Sequence, residues 1–479
     1  MIKRILRVLG IALILLIAFV LFNTFRFTHT IPVKQSLPQP PINDSAVAHL
    51  QEAIRIKTIS YADTLPIDTS EFVRFRQFLE RAYPLAHKNL NRQIFRNFSY
   101  LYTWKGSNPS LKPWVLMAHM DVVPVEMTTV GKWTHAPFSG EIANNQIWGR
   151  GAADDKGSAI TILEAAEDLL RHGFTPQRTI YISLGHDEEV IGSGAKTIAH
   201  WFAENNIHPE LVLDEGGEIT LEQFPSLNRP IAAIGVAEKG FLSFELSVEK
   251  PGGHSSMPEK ETAIDILTKA VVNLRREQMP YHVTAPMANL LERVGPGLSF
   301  NERMAISNQW LFGKLLRSKF ESDHVTNSLF HTTIVPTILQ SGVKDNVIPT
   351  RAVAIVNCRN LNVDKQDDVI AFMKKEINDD RVKIMPFKLN GEASPITPVD
   401  GPAFKKVESV CYEVMPNVIP VPYMLMGATD SKHFSAVSDG VLKFVPSIDS
   451  KGYHGIDERL PLDDFKRMIF FYTLIIQDK

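Results

Sequence analysis

Trp114-Val115-Leu116-Met117-Ala118-His119-Met120-Asp121 is the stretch that places this chain in a fold class. Five apolar residues in succession, with no polar alternation, suit a strand buried on both faces of a parallel sheet. The run ends in a histidine and an aspartate two positions apart, which a strand period of two points to the same side. On either side, Ala46 to Ile56 and Ser70 to Tyr83 carry helical spacing, and Ser158 to Arg171 is an amphipathic helix. Thr179 to Leu184 is β-rich, Ala195 to Asn205 is helical, and Leu211 to Leu213 is a short buried strand. Apolar strands alternating with helices predict an α/β domain with a mixed, largely parallel sheet.

The pattern changes near Gly240. Phe241 to Val248 alternates like a half-exposed antiparallel strand, and Thr262 to Arg276 is helical. Thr332 to Leu339 and Ala352 to Arg359 read as strands, Gln366 to Ile377 as a helix, and Val382 to Phe387 as a strand. That β-α-β-β-α-β order is ferredoxin-like. Residues Pro280 to Asn327 interrupt it as an insertion. After Gly391 the α/β pattern returns and ends in a helix over Pro461 to Ile476. The expectation is one α/β domain, residues 45–236 and 392–479, split by an inserted α+β domain at 237–391.

The chain has 479 residues, with 51 Lys+Arg against 53 Asp+Glu and a net charge of −2. Such balance excludes an acidic disordered chain, a polytopic membrane protein and a basic nucleic-acid binder, so no nucleic-acid partner is expected. Two cysteines, Cys358 and Cys411, cannot make a disulfide framework or a thiolate zinc site, which leaves histidine and carboxylate for any metal chemistry. Val8 to Phe25 holds no charge, with Lys3, Arg4 and Arg7 before it and Arg26 after it. Roughly 18 apolar residues just reach across a bilayer as a helix. The exit through Phe22-Asn23-Thr24-Phe25-Arg26-Phe27 has no Ala-x-Ala-like site, so residues 1–27 read as an uncleaved signal anchor. Either an anchor or a cleaved signal sends the remainder across the membrane. Residues 28–44, with four prolines between Pro32 and Pro41, read as an extended linker.

Five polar motifs stand where apolar strands run out, the place where open α/β sheets bind ligands. His119-Met120-Asp121 pairs a candidate metal ligand with a carboxylate able to fix its tautomer. Gly149-Arg150-Gly151-Ala152-Ala153-Asp154-Asp155-Lys156-Gly157 opens a helix, and one of its two aspartates suits a bridge between two ions. Gly185-His186-Asp187-Glu188-Glu189 offers adjacent glutamates, one for a metal and one facing a water as general base. Asp214-Glu215-Gly216-Gly217 and His454-Gly455-Ile456-Asp457-Glu458 complete the set. Read singly, each is an ordinary loop or helix start. Together they offer histidines and carboxylates in strand-end order, a donor set for two divalent ions such as zinc.

The motifs MAHMDVVPV, WGRGAADDKG, LGHDEEVIGSGA, LDEGG, AEKG, GGHSSMP, DNVIP, GATDS and YHGIDERL make residues 45–479 resemble a known family. It is that of the zinc-dependent exopeptidases and deacylases, with aminoacylase, carboxypeptidase S and bacterial glutamate carboxypeptidase. Within it, the chain is most like the branch of carboxypeptidase S and the secreted N-acyl-amino-acid hydrolases. The resemblance implies a zinc-exopeptidase-like catalytic domain with a ferredoxin-like lid and dimerisation domain. It implies two Zn2+, with Co2+ or Mn2+ as substitutes. His119 would bind one ion and Asp121 orient it; Asp154 would bridge, often followed by a cis peptide in the family. Glu189 and His454 would hold the second ion, and Glu188 would be general base on a metal-bridging water. The last ligand of the first ion falls at Asp214 or Glu215, with Asp214 favoured. His254, from a dimer partner's lid, would stabilise the oxyanion, while Asn346 and Arg359 grip the substrate carboxylate. Gly427 to Ser431 would line the same pocket, and the insertion, with Trp310-Leu311-Phe312, would cover a side chain or acyl chain.

The implied reaction is cleavage of an amide next to a free carboxylate, in a short peptide or an N-acyl amino acid. The expected setting is a bacterial inner membrane with the catalytic part in the periplasm, or secretion if the signal is cleaved. A homodimer through the lid is expected as well. The rival is a non-catalytic, membrane-anchored peptide- and metal-binding protein on the same fold. It predicts loss of Glu188 or a ligand, and the sequence retains them all.

Overall fold

A 25-residue helix, α1 (Ile2–Arg26), carries the N-terminal apolar run. It is long and apolar enough to cross a membrane. The computed structural model describes the chain except residues 29–36, 38, 40–43, 62–65, 191, 222, 388–389, 449 and 479. Most of the linker expected at 28–44 therefore lies outside the described residues.

The chain next lays down β1 (Asn91–Phe95), β2 (Ser99–Trp104), β3 (Trp114–His119), β4 (Ile180–Gly185), β5 (Leu211–Asp214) and β6 (Ile231–Glu238). Past Gly240 come β7 (Leu242–Glu249), β8 (Thr333–Ser341), β9 (Arg351–Arg359) and β10 (Lys383–Pro386). The last labelled strands are β11 (Ile419–Leu425) and β12 (Val441–Lys443). Nine strands form one sheet in the order β1-β2-β4-β3-β5-β12-β6-β11, with Ile219–Thr220 paired to β6. β3 is parallel to both β4 and β5, β12 to β5, and β11 to β6. The β1/β2, β2/β4 and β12/β6 pairs are antiparallel. The sheet is thus mixed with a parallel centre, as the unbroken apolar runs predict; every residue of β3, β4 and β5 is buried.

Helices cover both faces. On one, α2 (Lys156–Arg171) packs with the C-terminal helix Leu462–Gln477 through Ile160, Leu163, Phe471 and Ile475. On the other, α3 (Ser193–Glu204) buries Ile198 and Phe202 against Val115 and Phe434.

Strands β7 to β10 form a second, antiparallel sheet in the order β8-β9-β7-β10. With α4 (Ala263–Arg276) after β7 and Gln366–Ile377 after β9, this is the ferredoxin-like order read from the sequence. Leu242, Phe244, Leu246 and Val248 of β7 pack with Ile266, Leu267, Val369 and Met373 of those helices. β7 is not half-exposed: as an inner strand of its sheet it buries Ser243 and Ser247 too.

The insertion holds α5 (Ala285–Val294), α6 (Phe300–Ser307) and α7 (Gln309–Glu321). It docks on the β6/β11 edge of the nine-stranded sheet rather than on the four-stranded one. Met287, Leu290, Leu291 and Val294 pack against Ile231, Ala233, Ile419 and Val421. Trp310 lies against Phe19 of α1, its ring centre 5.9 Å away, and not over the strand-end cleft.

Candidate metal centre

Parallel pairing brings the carboxyl ends of β3, β4 and β5 to one edge. His119 registers against Gly185, and Leu116 against Leu213. Each strand therefore releases its polar residues at the same level, which is why three distant motifs meet. The loop before α2 supplies a fourth, and the turn before the C-terminal helix a fifth.

His119 Nε2 lies 3.0 Å from Asp154 Oδ1 and 3.4 Å from Glu215 Oε1. The other oxygen of Asp154, Oδ2, is 3.1 Å from His454 Nε2, itself 3.1 Å from Glu189 Oε2. Asp154 thus stands between two histidines, one oxygen toward each. The Asp154–Asp155 peptide is cis.

Asp121, fully buried, organises this edge from behind. Its Oδ1 is 3.4 Å from His119 Nδ1 and accepts the Glu188 N–H at 3.2 Å. Its Oδ2 accepts the Glu189 N–H at 3.2 Å and the Ser60 hydroxyl at 2.6 Å. One carboxylate therefore fixes a histidine and the turn bearing both glutamates.

Sequence reasoning missed two other supports. Glu458, fully buried, pairs with Arg150 at 2.6 Å and accepts the Ala153 and Asp154 N–H groups, which pins the loop carrying Asp154. Asp155 accepts the His119 backbone N–H at 3.3 Å. Both residues stand inside quoted motifs, but their roles depend on contacts across the fold. His454 adopts φ +54, in the left-handed region that non-glycine residues enter uncommonly.

The electrostatics are those of crowded anions sharing too little positive charge. Burial, against the pull of His119, pushes the Glu188 carboxyl well up, aided by Asp430 and Glu215. Burial and Asp154 push Glu215 up to about 7. Burial disfavours charge on Asp154 as well, yet hydrogen bonds to His119 and His454 hold it well below the usual range. Hydrogen bonds to Asp154 and Glu189 push His454 up to about 10. Glu189 Oε1 is buried with no hydrogen-bond partner among the described residues. His119, Asp154 and Glu189 offer ligand atoms all within 4.8 Å of one another, as do His119, Asp155 and Glu215. An all-nitrogen-and-oxygen donor set with an orphaned carboxylate oxygen fits hard-to-borderline divalent ions such as zinc.

Asp214 is not brought to the cluster. Its Oδ2 accepts the Ser431 N–H at 2.8 Å, while its neighbour Glu215 faces His119. Strand alternation is the reason, since adjacent side chains at a strand end diverge. His254 and Asn346 sit together, exposed, beyond β7 and β8, with the Ser255 N–H donating to Asn346 O at 3.2 Å. Arg359 is half-buried with its guanidinium over the Phe241 ring at 4.8 Å. None of these three is among the residues lining the cleft.

The cleft itself encloses about 470 Å3 and is lined by Asp154, Glu188, Glu215 and His454 with Leu425 and Tyr453. Gly427, Ala428 and Thr429 line it as expected, but Asp430 and Ser431 lie behind the wall, buried.

The family model described as peptidase family M20/M25/M40 matches residues 115–478. A Dictyostelium discoideum protein named probable carboxypeptidase S-like 2 is 38% identical over 494 residues, covering 100% of this chain and 94% of the relative. The Mus musculus N-fatty-acyl-amino acid synthase/hydrolase PM20D1 is 35% identical over 440 residues, covering 90% and 86%. Among solved structures, an M20 family metallo-carboxypeptidase from Sulfolobus solfataricus superposes with a TM-score of 0.64 at 19% identity, covering 91% and 99%. Human carnosine dipeptidase 1 gives 0.59 at 15% identity, covering 91% and 96%. The likeness to these two structures is one of fold.

Proposed function

This chain belongs to the peptidase family M20/M25/M40, and from that premise we propose that it is a two-zinc hydrolase of amides adjacent to a free carboxylate. The observation that carries the reading is Asp154 set between His119 and His454, with Glu188 and Glu189 beside them.

In this reading His119, Asp154 and Glu215 hold one ion and Asp154, Glu189 and His454 the other. Glu215 takes the place expected for Asp214. Zinc bound there supplies Lewis acidity, lowering the pKa of a water and polarising a carbonyl. Glu188, kept basic enough by burial, takes the proton of the attacking water and returns it to the leaving amine. Asp121 orients His119 and holds the Glu188 turn in place. His254 acts from the lid of a homodimer partner, which fits its absence from the cleft lining of its own chain, and Asn346 and Arg359 grip the substrate carboxylate from the lid. The lid's edge strand β8 exposes Val335, Ile338 and Leu339, an apolar face for such pairing.

Residues 45–236 and 392–479 form the catalytic domain and 237–391 the inserted domain, in which β7 to β10 make the lid and α5 to α7 dock on the catalytic sheet. Both short peptides and N-acyl amino acids present the required amide and carboxylate, and relatives carry names from each class. The apolar wall of Leu425, Val445, Leu460 and Met468 accommodates an acyl chain or apolar side chain. α1 anchors the catalytic part outside the cytoplasm, facing a periplasm.

Glu188→Gln, in zinc-loaded protein, is expected to lower kcat by about 10²–10⁴ with two zinc ions retained. Hydrolysis persisting with zinc bound would remove Glu188 as base. A panel of dipeptides and N-acyl amino acids separates the substrate classes. Cleavage of dipeptides alone eliminates the acylase reading.

A further inference from the structure

α1 is not a free tether. Val20 and Thr24, on its last two turns, are buried, and the insertion buries them. Asn308, between α6 and α7, is fully buried. Its Nδ2 reaches Val20 O at 3.2 Å, Thr24 Oγ1 at 3.3 Å and Met304 O at 3.0 Å, and its Oδ1 accepts from Asn23 Nδ2 at 3.0 Å. Around this clasp Phe19 meets Trp310, Phe25 meets Phe300 with ring centres 6.1 Å apart, and Phe27 joins the insertion core. A polar side chain satisfied against the backbone and hydroxyl groups of an apolar helix is a mode of association suited to a bilayer.

Depth follows from helix geometry. Arg26 ends the apolar run, and Phe19 precedes it by seven residues, about 10 Å along an axis rising 1.5 Å per residue. The interfacial layer on each side of the hydrocarbon is only about 5–8 Å thick. A ring packed on Phe19 therefore reaches the acyl boundary if α1 spans the membrane. The outer surface of the insertion agrees. Trp310 is 58% exposed, Leu315 64%, Leu311 44% and Phe300 42%, while Leu316 and Phe320 face the insertion core. Tryptophan favours this interface, and Lys314, exposed among these residues, can extend its ammonium to the headgroups.

We propose that α6 and α7 form a shelf sunk into the leaflet through which α1 leaves the membrane, with phospholipid covering Trp310, Leu311, Leu315 and Phe300. The inference rests on α1 being a membrane anchor. It adds a second lipid contact, so the catalytic part is held in one orientation rather than swinging on a linker. The orientation reaches the cleft directly: Met426 packs on the insertion core, and the adjoining Leu425 lines the cleft.

The test uses the full chain in phosphatidylcholine vesicles whose acyl chains carry bromine, which quenches tryptophan on contact. Of six tryptophans, Trp310 is isolated by subtracting the emission of Trp310→Phe from that of the parent. Leu13→Trp in the Trp310→Phe background reports α1 in the same vesicles. The expected result is at least twofold quenching of both signals relative to unbrominated vesicles. Quenching at position 13 with none at Trp310 overturns the shelf and leaves the anchor standing. Quenching at neither removes both.

Discussion

Asp214 and Glu215 are neighbours, yet the end of β5 sends one carboxylate to Ser431 and the other to His119. Glu215→Ala is expected to remove one zinc per chain and most activity. Asp214→Asn keeps an oxygen for the Ser431 N–H and should keep both ions. Metal content by atomic emission checks the pair; full zinc in Glu215→Ala would return the ligand role to Asp214. The sequence alone allows either residue, because both follow the same strand and both are acids. His119, Asp154, Glu188, Glu189 and His454 were readable as a set because each closes an apolar run or a glycine-rich turn. Glu458 and Asp155 were not, since one stabilises Asp154 through backbone N–H groups and the other reaches His119 across the sheet.

Elements explain acids that chemistry does not need. Asp187 stands beside the two glutamates but serves helix α3: its oxygens accept the Ser193 and Gly194 N–H groups at 2.8 and 2.9 Å and the Ser193 hydroxyl at 2.5 Å. Gly194 is small for a reason, since a Cβ there would lie 1.9 Å from Ser99 Oγ. Asp187→Ala is expected to cost about 1–2 kcal/mol of stability, as for loss of a helix cap, with metal content unchanged. Chemical denaturation with metal analysis checks it; loss of zinc at full stability would make Asp187 part of the centre. Elements were most readable where burial was one-sided or complete, as in β3, β4 and α2. The β1–β2 hairpin is not legible in the sequence because the edge strand β1, Asn-Arg-Gln-Ile-Phe, is largely polar and partly exposed.

At the scale of the whole molecule, Lys239 stands at the passage from the catalytic sheet to the lid. Its ammonium, buried, donates to Ser328 O at 2.9 Å and His331 O at 2.8 Å, tying the end of the insertion to this passage. Burial, and then the Arg359 guanidinium, push Lys239 down to about 7. From pH 7 up to the ordinary lysine value of about 10.4 the unfolded chain holds a proton that the native chain lacks, so stability rises with pH there and levels off below 7. One such group contributes a slope of about 1.4 kcal/mol per pH unit. Lys239→Met should lose that slope; denaturation curves for both proteins at pH 7, 8 and 9 decide, and parallel profiles would count against a neutral Lys239. The lid topology was readable because its periodic segments are contiguous apart from one insertion. Where the insertion docks was not, because its contacts with β6, β11 and α1 join distant parts of the chain.

The position of β12 has a consequence for synthesis. Residues 441–443 lie between β5 and β6, so the central sheet cannot close until about 200 residues beyond Glu238 have been made. At about 5–20 residues per second the ribosome takes some ten to forty seconds over that distance. The lid strands, all made within it, are free to fold first, while the apolar edges of β5 and β6 wait for their partner. Chains stalled after residue 400 should show a protease-resistant lid beside a digestible catalytic half.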